Sequence, residues 1–329
     1  MTEQIQRKLS ESKTARWSVL ALVAFTMLCG YFITDMMAPL QDLLQTPVEG
    51  GGLGWTANEY GKFTSAYGWF NVFFLMLIFG GMILDKMGVR FTAVLSGVVM
   101  VLGAAINWYA VTDLFDASSA KTFMDNTLNL PQAWWNVTPW YDGMPASAKL
   151  SAIGFMIFGC GAEMAGITVS RGIVKWFKGR EMALAMGLEM AIARVGVFAV
   201  FTISPWLANM APATVVRPVA FCTLLLLIGL LTYVVFTFMD RKLDKQLGLD
   251  AKGNNSSEEE FRVSDLGKIF GSKVFWIVAM LCVLYYSAIF PFQRFATNML
   301  ESNLGVSAQT AADIFRWFPM GAAAITPLL

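Results

Sequence analysis

The chain has 329 residues, 56% of them apolar and 14% charged, with a formal net charge of +1 and no histidine. Apolar runs of about twenty residues recur along its whole length, each enough to cross a ~30 Å hydrocarbon layer as a helix, so the sequence reads as an all-α polytopic membrane protein. The balanced charge offers no basic face for nucleic acid, and the lack of histidine removes the commonest metal ligand and the usual proton relay near neutral pH.

Eight spans are predicted, at 17–40, 63–84, 91–111, 151–171, 181–208, 216–238, 274–297 and 309–329. The first apolar run, from Trp17, is too long for a cleavable signal peptide and lacks a small-residue cleavage site. Basic residues set the orientation. Arg7, Lys8, Lys13 and Arg16 precede span 1, Lys86 and Arg90 follow span 2, Arg171, Lys175, Lys178 and Arg180 follow span 4, and Arg241 through Lys273 follow span 6. The other side holds Lys62, Lys121, Lys149 and Arg217, which predicts a cytoplasmic N-terminus. Cys29, Cys160, Cys222 and Cys282 lie inside apolar runs at no metal-like spacing and read as small packing residues.

Span 1 carries Tyr31 and Asp35 one turn apart on one face, with Asp35 toward the outer end, where it reaches either interfacial water or a cavity. Span 2 opens with Tyr67, Trp69 and Phe70 and ends in the charged turn GGMILDKMGVR. There glycine permits a tight bend and Asp85 can meet a helix N-terminus or a base. Residues 112–150 form a long outer loop with Trp134, Trp135, Trp140 and Tyr141, an interfacial aromatic belt or a lid over the outer mouth. Its Asn136-Val-Thr is a glycosylation sequon, a pattern frequent by chance.

The stretch 161–194 pairs two apolar helices through a basic turn, with Glu163 in the first and Arg194 in the second. The midpoint between them falls in the turn, so an antiparallel hairpin places both at similar depth. A charge near the bilayer centre costs at least ~2.5–3.5 kcal/mol on insertion scales, and such residues are kept where they pair, face a water-filled cavity or do work. A structural ion pair is one reading. The other is a binding site for a zwitterion, carboxylate to ammonium and guanidinium to carboxylate.

Composition shifts at 240–273, a cytoplasmic linker in which Val263, Leu266, Ile269 and Phe270 suggest a short interfacial helix. It divides the chain into 1–239, a six-span unit, and 274–329, the start of a second. Span 7 holds Tyr285 and Tyr286 near its middle, then Pro291, a predicted kink, and Arg294, predicted to snorkel outward.

Gly81, Asp85, Lys86, Gly88 and Arg90 reproduce G-x-x-x-D-K/R-x-G-x-R/K, which resembles the signature gating loop of the major facilitator superfamily. Four further segments resemble one branch of it, that of major facilitator superfamily domain-containing protein 1, a dipeptide transporter, and its bacterial relatives. They are YFITD-x-x-x-x-LQ, SAYGWFN, WFKGRE followed by GLEMAIARVG, and the span 7 run ending LYYSAIFPF. The resemblance implies two six-helix bundles that rock about a central cavity, of which this chain supplies the N-terminal bundle and the first two helices of the second. It also implies that Glu163 and Arg194 meet the two ends of a peptide, with Tyr31, Asp35, Trp69, Tyr285 and Tyr286 shaping the site. Against that pattern the 112–150 loop is long, Arg294 is an unexpected charge, and helices 9 to 12 are absent, so the chain reads as C-terminally truncated.

The expected function is therefore a solute transporter, uniporter or symporter, for dipeptides or short peptides. Its surroundings are lipid, in a bacterial plasma (inner) membrane, and no cofactor, metal or enzymatic step is expected. No ATP-binding motif appears. Amino acids or small organic anions are the alternative substrates, and a non-transporting receptor or assembly subunit is the alternative class. If protons are coupled, Glu163 is the first candidate carrier and Asp35 the second. In the truncated form no transport is expected, and Glu163 and Arg194 should pair directly.

Overall fold

The computed structural model describes residues 9–131, 138–248 and 265–328. Helix α1, Lys13–Thr34, is capped by Ser12, whose hydroxyl accepts from the Ala15 amide. After a turn through Pro39 the chain enters α2, Ala57–Ala66, under a reciprocal capping box between Thr56 and Glu59. The short α3, Trp69–Phe73, follows, and a left-handed Leu75 precedes α4, Met76–Ala110. The predicted second span is thus three helical pieces beginning at residue 57, and it joins the third at one non-helical residue, Gly88. Gly88 has φ of 80°, a backbone state that suits glycine and strains other residues.

Helices α5, Ala146–Phe177, and α6, Met182–Ala208, are joined through Gly179 at φ 75° and Glu181 at φ 47°. Helix α7 spans Val216–Leu247 and α8 spans Lys273–Leu304. The last predicted span is two pieces, α9, Ala308–Phe315, and α10, Trp317–Ile325. Pro319 has no amide hydrogen for the Phe315 carbonyl, and the helix is interrupted between them. These breaks reconcile eight predicted spans with the six described helices that are individually long and apolar enough to cross a membrane. Helix α7 continues eight residues past the boundary predicted at 239, and Val263, with the rest of 249–264, lies outside the described residues.

Helix α5 packs along α4, whereas α6 packs against α1 and α10. The α5–α6 hairpin is not a close helix pair. Small residues explain the tight α4–α5 seam: a Cβ built on Gly103 would sit 2.3 Å from the Phe158 amide nitrogen, and one on Gly154 would sit 2.6 Å from the Gly103 carbonyl. Val23, Phe32, Val197, Phe201 and Tyr233 fill the core where α1 meets α6 and α7. Cys29 and Cys222 are buried there as packing residues, Cys160 is buried on α5, and Cys282 is exposed on α8.

The loop between α4 and α5 contains two short helices and is fastened to the bundle. Lys149 donates to the Met124 and Thr127 carbonyls, Lys62 donates to the Thr138 carbonyl, and the Tyr141 hydroxyl donates to Glu59 at 2.6 Å. Burial, followed by that bond to Glu59, pushes the Tyr141 phenol up to about 12. Trp134, Trp135 and the Asn136 sequon lie outside the described residues. We call this end of the bundle the loop face and the end carrying Gly179 the turn face.

Candidate substrate cavity

A cavity of about 710 Å³ lies among α1, α2 to α6 and α8. Glu163 from α5 and Arg194 from α6 both line it. They do not pair with each other, contrary to the expectation from the sequence. Glu163 accepts a hydrogen bond from the Tyr67 hydroxyl at 2.9 Å, and the Arg194 guanidinium lies 5.7 Å from the centre of the Tyr31 ring. The physical reason is that α5 and α6 pack on different partners, so each charge takes a local aromatic neighbour and the space between helices stays open.

The other predicted site residues divide. Tyr31 and Tyr286 line the cavity. Tyr285 is 55% exposed on the other side of α8, its ring packed edgewise on Tyr286, and does not reach the site. Trp69 also stays out. It packs on Phe73 and Trp140, because the break between α2 and α3 turns Tyr67, Gly68 and Asn71 inward in its place.

Asp35 lies behind the cavity wall, 5% exposed, with Oδ1 3.3 Å from Arg294 Nε. Arg294 does not snorkel outward. It is 8% exposed, turned toward α1 by the buried acid at its own level, with its guanidinium 5.5 Å from the Phe155 ring centre. The Arg294 carbonyl accepts from the Tyr60 hydroxyl at 3.1 Å and from Gln41, and Thr297 donates to the Ala38 carbonyl at 3.0 Å. All of these contacts gather at the loop-face end of α8.

The sequence model of the Major Facilitator Superfamily matches residues 20–329, nearly the whole chain. The chain belongs to the Major Facilitator Superfamily. The superfamily is one of transporters, not of enzymes. Among curated superfamily members it is similar to proteins named lysosomal dipeptide transporter MFSD1: 25% identical to that of Bos taurus over 91% of this chain and 56% of the relative. The Homo sapiens protein is 24% identical and the Mus musculus protein 26%, each over 91% of this chain and 57% of the relative. The chain spans a little over half the length of these relatives.

The superfamily loop itself is a charge network within the first six spans. Asp85 pairs with Arg171, and Arg90 pairs with Asp244. Lys175 pairs with Asp240 at 2.8 Å and with Asp244, and the Trp176 indole donates to Asp240 at 2.9 Å. Gly88 supplies the bend, Lys86 is exposed, and a side chain on Gly81 would meet open space. Asp85 therefore finds a base inside this chain.

Sequence reasoning missed four buried acids, of which Glu59 holds Tyr141 of the loop. Asp240 and Asp244 sit four residues apart on one face of α7, a spacing that signals a shared partner. They were hidden by their place among basic residues assigned to the linker. Glu189 on α6 is 6% exposed, one of its carboxylate oxygens lacks a hydrogen-bond partner, and it is close enough to Tyr31 and Tyr233 to act on them electrostatically.

Proposed function

We propose that the protein carries dipeptides or short peptides by alternating access, with Glu163 receiving the ligand's ammonium and Arg194 its carboxylate. The observation that carries this reading is that two opposite charges line one cavity and each is held by an aromatic neighbour, not by the other. Tyr31 and Tyr286 flank the bound chain. The similarity to proteins named as dipeptide transporters supports the substrate class. The loop of Gly81, Asp85, Lys86, Gly88 and Arg90 acts in gating. The working units are 1–239, 240–273 and 274–329, and the turn face, which carries most of the basic residues, is cytoplasmic.

Uptake of labelled dipeptides into liposomes, measured with the protein that carries this chain at its full length, tests the assignment. Saturable uptake is expected, with most of it removed by Glu163→Gln or by Arg194→Gln; no uptake across a varied peptide panel contradicts it. Collapse of the pH gradient separates the two modes, since a proton symporter slows and a uniporter does not. One observation favours small organic anions as the second substrate reading: the cavity wall carries Arg194 and Arg294 against the single acid Glu163. Competition by dicarboxylates and not by peptides would select it.

A further inference from the structure

Arg294 faces two ways. Its guanidinium lies against Asp35 at 3.3 Å, and the same residue lines the cavity, which Asp35 does not. One helical turn earlier Pro291 also lines the cavity, so this stretch of α8 forms a wall of the site. The placement of Arg294 is fixed from several sides. Phe155 lies under the guanidinium, Nη1 donates to the Thr64 carbonyl at 3.4 Å, and the main-chain carbonyl accepts from Tyr60 and Gln41.

The contact with Asp35 is loose for an ion pair of this kind. Its approach at 3.3 Å is from Nε, and that nitrogen has no hydrogen-bond partner. A guanidinium has five N–H donors arranged to take a carboxylate in two parallel bonds, and the contacts to Asp35 and Thr64 leave donors unused. A carboxylate presented from the cavity can therefore compete with Asp35 for the same group.

Charge counting gives the competitor. The charged residues of the cavity wall are Glu163, Arg194 and Arg294. A zwitterionic peptide answers the first two and leaves Arg294 balanced by Asp35 from behind. A ligand with an acidic side chain brings one more carboxylate, and Arg294 is the cation still facing the cavity. We propose that Arg294 is a specificity-determining residue that reads the charge of the ligand's side chain, an acidic side chain displacing Asp35 from it and loosening the tie between α1 and α8. The inference rests on the peptide reading of the cavity. Asp35 is then a positioning residue: it sets how available Arg294 is, without touching the ligand.

The test is binding of alanyl-glutamate, alanyl-alanine and alanyl-lysine to the purified protein in lipid nanodiscs. The wild type is expected to rank them acidic, neutral, basic. Asp35→Asn frees Arg294 and raises the acidic-over-neutral ratio on the order of tenfold, the effect of releasing one partly buried charge for a new partner. Arg294→Gln removes the discrimination. The exchange Asp35→Arg with Arg294→Asp keeps an ion pair between α1 and α8 but turns a carboxylate to the cavity, and the ranking inverts to favour alanyl-lysine. If all three peptides bind and neither Asp35→Asn nor the exchange moves their ratios, Arg294 is a structural tie alone and the inference is wrong. Absence of binding by all three overturns the peptide reading and this inference with it.

Discussion

The two ends of the bundle use the same chemistry for different purposes. At the turn face, Asp85–Arg171, Arg90–Asp244 and Lys175–Asp240 all join helices of the first six spans to one another. At the loop face, Asp35–Arg294 joins α1 to α8, the long helix after the linker. The packing of α8 divides in the same way: Gln293, Arg294, Ala296 and Thr297 are buried against the first six spans, whereas no residue from Lys273 to Phe290 is buried. The turn-face charges thus set the internal shape of one bundle, while the loop-face pair decides how that bundle meets its neighbour. Stability should follow the first set and accessibility the second.

The largest stability effect is expected at Asp240, which is fully buried between Lys175 and the Trp176 indole. Asp240→Ala leaves the Trp176 indole without its acceptor and Lys175 with Asp244 alone, and costs ~3 kcal/mol, the low end of the range for breaking a buried pair from one side. Thermal melting in detergent reads it, and an unchanged midpoint would remove the structural role assigned to the turn face. Asp35→Asn is expected to lower the midpoint less, because Arg294 keeps the cavity, the Phe155 ring and the Thr64 carbonyl around it. Its main effect is on access: a cysteine placed at Thr34, on the cavity wall, should react faster with a membrane-impermeant thiol reagent added at the loop face. Equal rates with and without the substitution would break the comparison. Asp85→Asn is the smallest, below about 1 kcal/mol, because both it and Arg171 are partly exposed and screened.

Much of this arrangement is legible in the sequence, and the rest has identifiable physical reasons for being hidden. A run of apolar residues announces a span, and a charge inside one stands out, which is why Glu163 and Arg194 can be singled out from the sequence alone. Which face a residue takes is another matter, since a helix break rotates everything beyond it. Trp69 and Tyr285 sit in segments that supply other residues to the site, and the α2–α3 break and the lie of α8 turn these two away. Glu189 lies five residues from Arg194, which at ~100° per residue is about 140° around the helix, so it does not line the cavity. The Asp35–Arg294 pair links two residues that each look like ordinary ends of a span, and nothing local in either segment signals the other.

If Glu163 and Arg194 hold the two ends of one ligand, a cycle that alters protein and ligand together will show it. Binding of alanyl-alanine is compared with that of its N-acetylated form in the wild type and in Glu163→Gln, and with that of its C-terminal amide in the wild type and in Arg194→Gln. Each blocking group should weaken binding strongly in the wild type and have little further effect in the variant that lacks the matching charge, because the contact it removes is already gone. If acetylation and amidation cost the same in the variants as in the wild type, the two charges do not meet the two ends of the ligand and the account is wrong.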